Sequence, residues 1–350
     1  MGRIKVVVVD DSKLARELIR AVLSTDDDIK VVAEAVNGED AIEKVALFKP
    51  DIVTMDIEMP VMDGLKAIEE IMALHAVPIL VVTTRDDAQM AYAAIQKGAL
   101  DLVEKPDVNL EGAAEFISKI KMLSKIRVIT HIRSKHIAGA INQDLPAFIP
   151  ANGNSEKLVA VAASSGGPEA LSILLSGLPA KFPCPVVIAQ HMSDGFITGM
   201  VEWLRKTTLL NVLVGADGDV LEAGTVYVSP SEKHMQIKEG GRISLVARRS
   251  ADIYRPSCDK LLTSAAAVYG PKGIGIILTG MGRDGVLGIK SIKEAGGTTI
   301  AQDEKTSAVF GMPRAAIEGG YVDSVLPIED ISSGIAGLLG GYSNKTKKDR

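Results

Sequence analysis

The stretch LVAVAASSGGPEAL at 158–171 puts a serine hydroxyl where nucleophilic chemistry would need one. Its first six residues read as a buried strand that stops abruptly at Ser164-Ser165-Gly166-Gly167-Pro168. Glycine permits the sharp turn there, and proline suits the first position of a helix. On such a strand-to-helix corner the Ser164 oxygen projects into a cleft, and the helix N-terminus offers N–H groups to a developing oxyanion. The corner alone does not decide the chemistry. The same turn can bind an anion without reacting, and Ala162 stands where the G-x-S-x-G pattern has its first glycine.

The partners narrow the choice. His191 directly follows the apolar run PVVIAQ, so the same sheet edge that carries Ser164 receives an imidazole. His234, at the start of an expected hairpin over 236–246, is its rival. Asp284 lies in TGMGRDG after GIGIIL, and the glycines let that loop bend toward the rim and aim a carboxylate at the imidazole. Asp217 and Asp219, after NVLVG, compete by the same geometry, and the residues prefer Asp284 only slightly.

A second constellation stands near the N-terminus. Asp10 and Asp11 follow the apolar run at 4–9, and Asp56 follows the run at 51–55. Further runs at 29–35, 79–83 and 101–104 alternate with helical segments. Five such alternations predict a flavodoxin-like parallel sheet of order 2-1-3-4-5, in which the first and third strands are neighbours. Three carboxylates crowded at those strand ends repel one another unless a hard cation such as Mg2+ sits among them, which prepares the site to accept a phosphoryl group. Thr83 and Lys105 close the fourth and fifth strands and can contact phosphoryl oxygens. Lys105-Pro106 is a candidate cis peptide.

The remaining elements serve these two rims. Apolar runs at 158–163, 185–189, 211–214, 225–228, 273–278 and 298–301 imply a second, mainly parallel sheet. The fold class is α/β, with two doubly wound parallel-sheet domains, the second carrying an antiparallel hairpin. The expected bounds are 1–123 for the first domain, 124–157 for a basic, then Asn-, Gly- and Pro-rich linker, 158–342 for the second domain, and 343–350 for a disordered tail. With 350 residues, 47% of them hydrophobic, the chain can bury two cores. Cys184 and Cys258 are its two cysteines, read as packing residues in a protein of the reducing cytosol. No apolar run reaches membrane-spanning length, and a net charge of −5 argues against a nucleic-acid binder.

Two resemblances add to this reading. DD at 10 and 11, MDIEMPVMDG at 55–64, Thr83 and EKP at 104–106 resemble the receiver domain of two-component response regulators. ASSGGPEAL from Ala163, AQHM from Ala189, YRPSCD from Tyr254 and LTGMGRDG from Leu278 are similar to the catalytic domain of chemotaxis protein-glutamate methylesterases, a family that also carries a receiver in front. The first resemblance implies that Asp56 accepts a phosphoryl group from a chemotaxis histidine kinase. The second implies a triad of Ser164, His191 and Asp284, with Ser165 and Met281 lining the site as oxyanion donors. It also implies demethylation of glutamate γ-methyl esters, and deamidation of glutamines, on chemoreceptor cytoplasmic helices, regulated by the receiver and free of any cofactor in the esterase step. The expectation is a cytoplasmic monomer that binds no nucleic acid and does not insert into the membrane.

Overall fold

The computed structural model describes residues 2–84, 88–106, 112–126, 128, 156–249 and 252–339. The chain divides into two compact units, 1–138 and 139–350. Most of the expected linker, and all of the expected tail, lie outside the described residues.

The first unit runs β1 (Ile4–Val9), α1 (Lys13–Leu23), β2 (Ile29–Ala35), α2 (Gly38–Phe48), β3 (Ile52–Met55), α3 (Gly64–Leu74), β4 (Ile79–Thr83), α4 (Ala88–Gln96), β5 (Asp101–Glu104) and α5 (Ala113–Leu123). Its sheet is parallel throughout, in the expected order β2-β1-β3-β4-β5. Val6 to Val9 are at most 1% exposed, as expected of parallel strands covered by helices on both faces, whose sequences become uniformly apolar rather than alternating. α1 starts where the Ser12 side chain accepts the Ala15 N–H, and it buries Ile19, Val22 and Leu23. Leu14, on the same helix, is 62% exposed and falls outside that stripe. The expected cis bond at Lys105-Pro106 is absent, and the cis peptide among the described residues is Arg255-Pro256. Lys105 nonetheless reaches both Asp10 and Asp56, so its placement does not require a cis bond.

The second unit continues with β6 (Leu158–Ala163), α6 (Gly167–Ser176), β7 (Val186–Gln190), α7 (Ile197–Leu204), β8 (Asn211–Val214), β9 (Thr225–Val228), the strands β10 (Lys233–Lys238) and β11 (Arg242–Ala247), and α8 (Cys258–Tyr269). β12 (Gly273–Ile277), α9 (Val286–Glu294), β13 (Thr298–Gln302), α10 (Met312–Glu318), β14 (Ser324–Leu326) and α11 (Ile328–Leu338) complete it. The main sheet is again parallel, in the order β14-β13-β12-β6-β7-β9-β8. β10 and β11 form the predicted antiparallel hairpin. β14 went unread in the sequence because it has three residues, two of them exposed, too few to show a period. No helix among the described residues is long and apolar enough to cross a membrane.

The strand order matters most at β6. Every residue of β6 is buried, and it lies between β7 and β12. Residues that follow these three strands therefore emerge together at one C-terminal edge.

Candidate active site

Register brings the serine and the histidine side by side. Ala163 pairs with Gln190 across β6 and β7, so the next residue on each strand is Ser164 and His191. The His191 N–H donates to the Ala163 carbonyl at 3.0 Å, and the Ser164 N–H donates to the Thr279 carbonyl at 3.0 Å on the β12 side. Beneath them, the buried Gln190 side-chain amide donates to the carbonyls of both Ser164, at 2.8 Å, and His191, at 2.9 Å. One side chain thus fixes the backbone of both residues.

Ser164 sits at the corner the sequence predicts. Gly166 adopts φ of 75°, in the left-handed region, and a Cβ there would lie 2.6 Å from the Ala308 Cβ, so only glycine turns the chain into α6 without strain. Gly280 approaches from the other side, where a Cβ would come within 2.7 Å of the Ser164 Cβ. Among the described residues the Ser165 N–H has no backbone acceptor, as an oxyanion donor at a helix start would require. Met281 is 41% exposed at the rim. The described hydrogen bonds include none from the Ser164 hydroxyl.

Asp284 is the carboxylate that meets the imidazole. His191 Nε2 and Asp284 Oδ2 are 2.8 Å apart, with Asp284 3% exposed. The start of α8 encloses the carboxylate further. Cys258 N–H donates to Oδ2 at 2.6 Å, Asp259 N–H to Oδ1 at 3.0 Å, and the Ser257 hydroxyl to Oδ1 at 3.2 Å. Burial alone would raise this carboxyl. The His191 hydrogen bond and charge, with the α8 N–H groups, outweigh burial and hold it below the ordinary aspartate range. Because Nε2 faces an ionised carboxylate it carries the ring hydrogen, and Nδ1 is left as the basic nitrogen.

The rival residues are occupied elsewhere. Asp217 accepts the Leu245 N–H, and Asp219 the Ala216 N–H. His234, fully buried on β10, pairs with Asp252 at 2.7 Å and accepts the Ser257 N–H at its Nδ1. Both cysteines are buried, but Cys258 does more than pack, since its Sγ lies 3.5 Å from His191 Nε2. That contact spans 67 residues of sequence, so no local pattern announces it. Burial, with the Asp284 charge, pushes the Cys258 thiol up and keeps it neutral against the imidazole edge.

Tyr254 is a site residue whose role the sequence left unread, although it opens the motif YRPSCD. Its ring stacks on His191, with centroids 5.1 Å apart and planes 13° from parallel. Stacked aromatic pairs contribute about 0.5–1.5 kcal/mol, so Tyr254→Ala is expected to lower kcat about two- to tenfold, and Tyr254→Phe to leave it near the original. Steady-state hydrolysis by the two variants checks this.

In the first unit, Asp10, Asp11 and Asp56 place carboxylate oxygens within 4.8 Å of one another, and Lys105 Nζ bridges Asp10 at 2.8 Å and Asp56 at 2.9 Å. Burial raises Asp56 above the ordinary aspartate range, helped by the Asp10 charge and opposed by Lys105. Thr83 Oγ1 is buried with no hydrogen-bond partner among the described residues. Three hard-oxygen donors so close together fit Mg2+, and an unsatisfied hydroxyl and an ammonium at the same rim fit the oxygens of a phosphoryl group.

Comparison with known proteins finds relatives for both units. The CheB methylesterase family model matches residues 159–335, and the response regulator receiver domain model matches 6–127. A protein-glutamate methylesterase/protein-glutamine glutaminase of Paramagnetospirillum magneticum is 47% identical over 344 residues, covering 97% of each chain. A relative bearing the same description in Pyrococcus horikoshii is 38% identical, covering 95% of this chain and 92% of its own. The crystal structure of the Thermotoga maritima CheB methylesterase catalytic domain matches 53% of this chain and 99% of its own, with 39% identity and a TM-score of 0.51.

Proposed function

The chain belongs to the CheB methylesterase family, and from that premise we propose that it is a receiver-regulated serine hydrolase that removes γ-methyl esters from chemoreceptor glutamates and deamidates glutamines there. The receiver occupies 1–123, the linker 124–157 and the esterase domain 158–342, and the protein works in the cytoplasm. The observation that carries the chemistry is the His191–Asp284 pair at 2.8 Å, next to a serine delivered by the adjoining strand in register.

In this reading His191 Nδ1 takes the Ser164 hydroxyl proton as the oxygen attacks the substrate side-chain carbonyl. The tetrahedral oxyanion is held by N–H donors, with Ser165 and Met281 as the candidates. The carbon–oxygen bond to the methoxy group then breaks, and the leaving oxygen collects the proton from His191 to depart as methanol. From a glutamine, the same transfer releases ammonia. Water, deprotonated by His191, hydrolyses the acyl-enzyme to a free glutamate and restores the serine. In this reading the Ser164 to His191 hydrogen bond forms when substrate arrives, since catalytic hydrogen bonds often tighten only then.

In the receiver, Asp10, Asp11 and Asp56 would hold Mg2+, whose charge would offset part of the negative charge of the three carboxylates and the incoming phosphate. Asp56 accepts the phosphoryl group from a phosphohistidine of a histidine kinase, the N–P bond breaking and the kinase imidazole leaving as the acyl phosphate forms. Lys105 and Thr83 then hold its oxygens. Incubating the protein with methylated chemoreceptor membranes and measuring methanol tests the whole reading. Methanol release that rises with a phosphoryl donor, and whose rise is removed by EDTA while the basal rate persists, is the expected result. Absence of methanol from an otherwise folded protein would remove the esterase reading.

A further inference from the structure

The motif YRPSCD ends in a carboxylate that the triad does not use. Asp259 stands in the first turn of α8, and its Oδ1 accepts the backbone N–H groups of Gly285, at 2.8 Å, and Gly288, at 2.9 Å. Both donors lie at the start of α9, immediately after Asp284. In return, the Asp259 N–H donates to Asp284 Oδ1 at 3.0 Å. The two helix starts therefore clasp each other, and Asp284 is held between them. Gly285 needs its bend, with φ of 95°, and a Cβ there would lie 3.1 Å from the Ala162 Cβ, so the loop cannot easily relax without its partner.

We propose that Asp259 is a positioning residue for the esterase: its side chain aims Asp284 at His191 by tying the Asp284 loop to α8, and its charge behind Asp284 favours the protonated imidazole formed during turnover. The inference rests on the esterase reading and assigns a further positioning residue to that same site. The titratable groups facing Asp259 among the described residues are Asp284, from the loop, and the Cys258 thiol, from its own helix; α9 presents backbone N–H groups. The two neighbouring carboxylates are pushed apart. Asp284 is held low by its His191 bond and the α8 donors against burial, while burial, together with the Asp284 charge, pushes Asp259 up to about 6.

Two substitutions separate the clasp from the charge. Asp259→Asn keeps an oxygen acceptor for both glycine N–H groups but carries no charge. Asp259→Ala removes both and strands two buried donors. The experiment uses the full-length chain with a saturating small-molecule phosphoryl donor, methylated receptor membranes and a pH series from 5 to 9. With Asp259→Asn, kcat at pH 8 is expected to fall less than about tenfold, and the acid limb of kcat to move to lower pH, since losing the second negative charge favours the neutral imidazole. With Asp259→Ala, kcat is expected to fall about ten- to a hundredfold with little change in KM, because Asp284 is no longer aimed. A profile of the asparagine variant superimposed on that of the unaltered protein, or an alanine variant with normal kcat, would overturn the proposal. Either outcome leaves the esterase reading standing, whereas an unaltered protein that releases no methanol fails that reading instead.

Discussion

Ser164→Ala is expected to abolish methanol release, a loss of about 10^5-fold or more in kcat, while Asp56 still takes up phosphate at the normal rate. The size follows from the mechanism. Without the oxygen no acyl-enzyme forms, and what remains is binding and whatever the oxyanion donors give to direct attack by water. The fold has no reason to suffer. Every described hydrogen bond at this residue is made by its backbone, from Ser164 N–H to Thr279 and to Ser164 O from Gly167 N–H and the Gln190 amide, and alanine keeps all three. A serine-directed phosphonate should label the unaltered protein and spare the variant, with intact-mass spectrometry as the readout. Normal turnover by the variant would eliminate Ser164 as nucleophile and leave the corner as an anion-binding turn.

The contrast between what the sequence disclosed and what it hid has a physical source. The strand at 158–163 and the corner after it were legible because burial on both faces enforces an unbroken apolar run, and because a tight strand-to-helix turn requires glycine and admits proline. Asp10, Asp56 and His191 were legible as rim residues because polar residues directly after buried strands must lie on the C-terminal rim. The same argument ranked Asp284 only slightly above Asp217 and Asp219, since all follow parallel strands. Neighbourhood separates them: β12 adjoins β6, whereas β8 is the far edge of the sheet, three strands from β6. Strand order in a second domain is a long-range property, and no local period encodes it. The cradle of Asp284 was hidden for a related reason. Ser257, Cys258 and Asp259 lie 25 to 27 residues upstream of it and act chiefly through a helix start, where backbone groups carry no sequence signature. The motif YRPSCD was visible, but its chemistry was not.

Asp56→Asn is expected to remove phosphoryl incorporation completely and, with it, every donor-dependent rise in methanol release. Asparagine nearly preserves the shape of the side chain but offers no carboxylate oxygen to form an acyl phosphate, and it would take one anionic ligand from the proposed Mg2+ site. The effect on hydrolysis depends on what the receiver does to the esterase. If the unphosphorylated receiver restrains the active site, phosphorylation shifts a population, and the gain is bounded by the difference in receiver affinity for the restrained and released states. Coupling free energies of about 1–3 kcal/mol are usual, which sets the expected donor-dependent rise between about 5- and 150-fold. Three measurements decide the matter: the Asp56→Asn chain, the unaltered chain with and without donor, and a fragment from Leu158 onward. The fragment should match the phosphorylated chain, and the variant should match the unphosphorylated one. If Thr83, whose buried hydroxyl has no partner among the described residues, registers the acyl phosphate as proposed, Thr83→Ala should take up phosphate yet show a smaller rise. Equal rates for the fragment and for the full chain with or without donor would show that the receiver carries its phosphate without restraining the hydrolase.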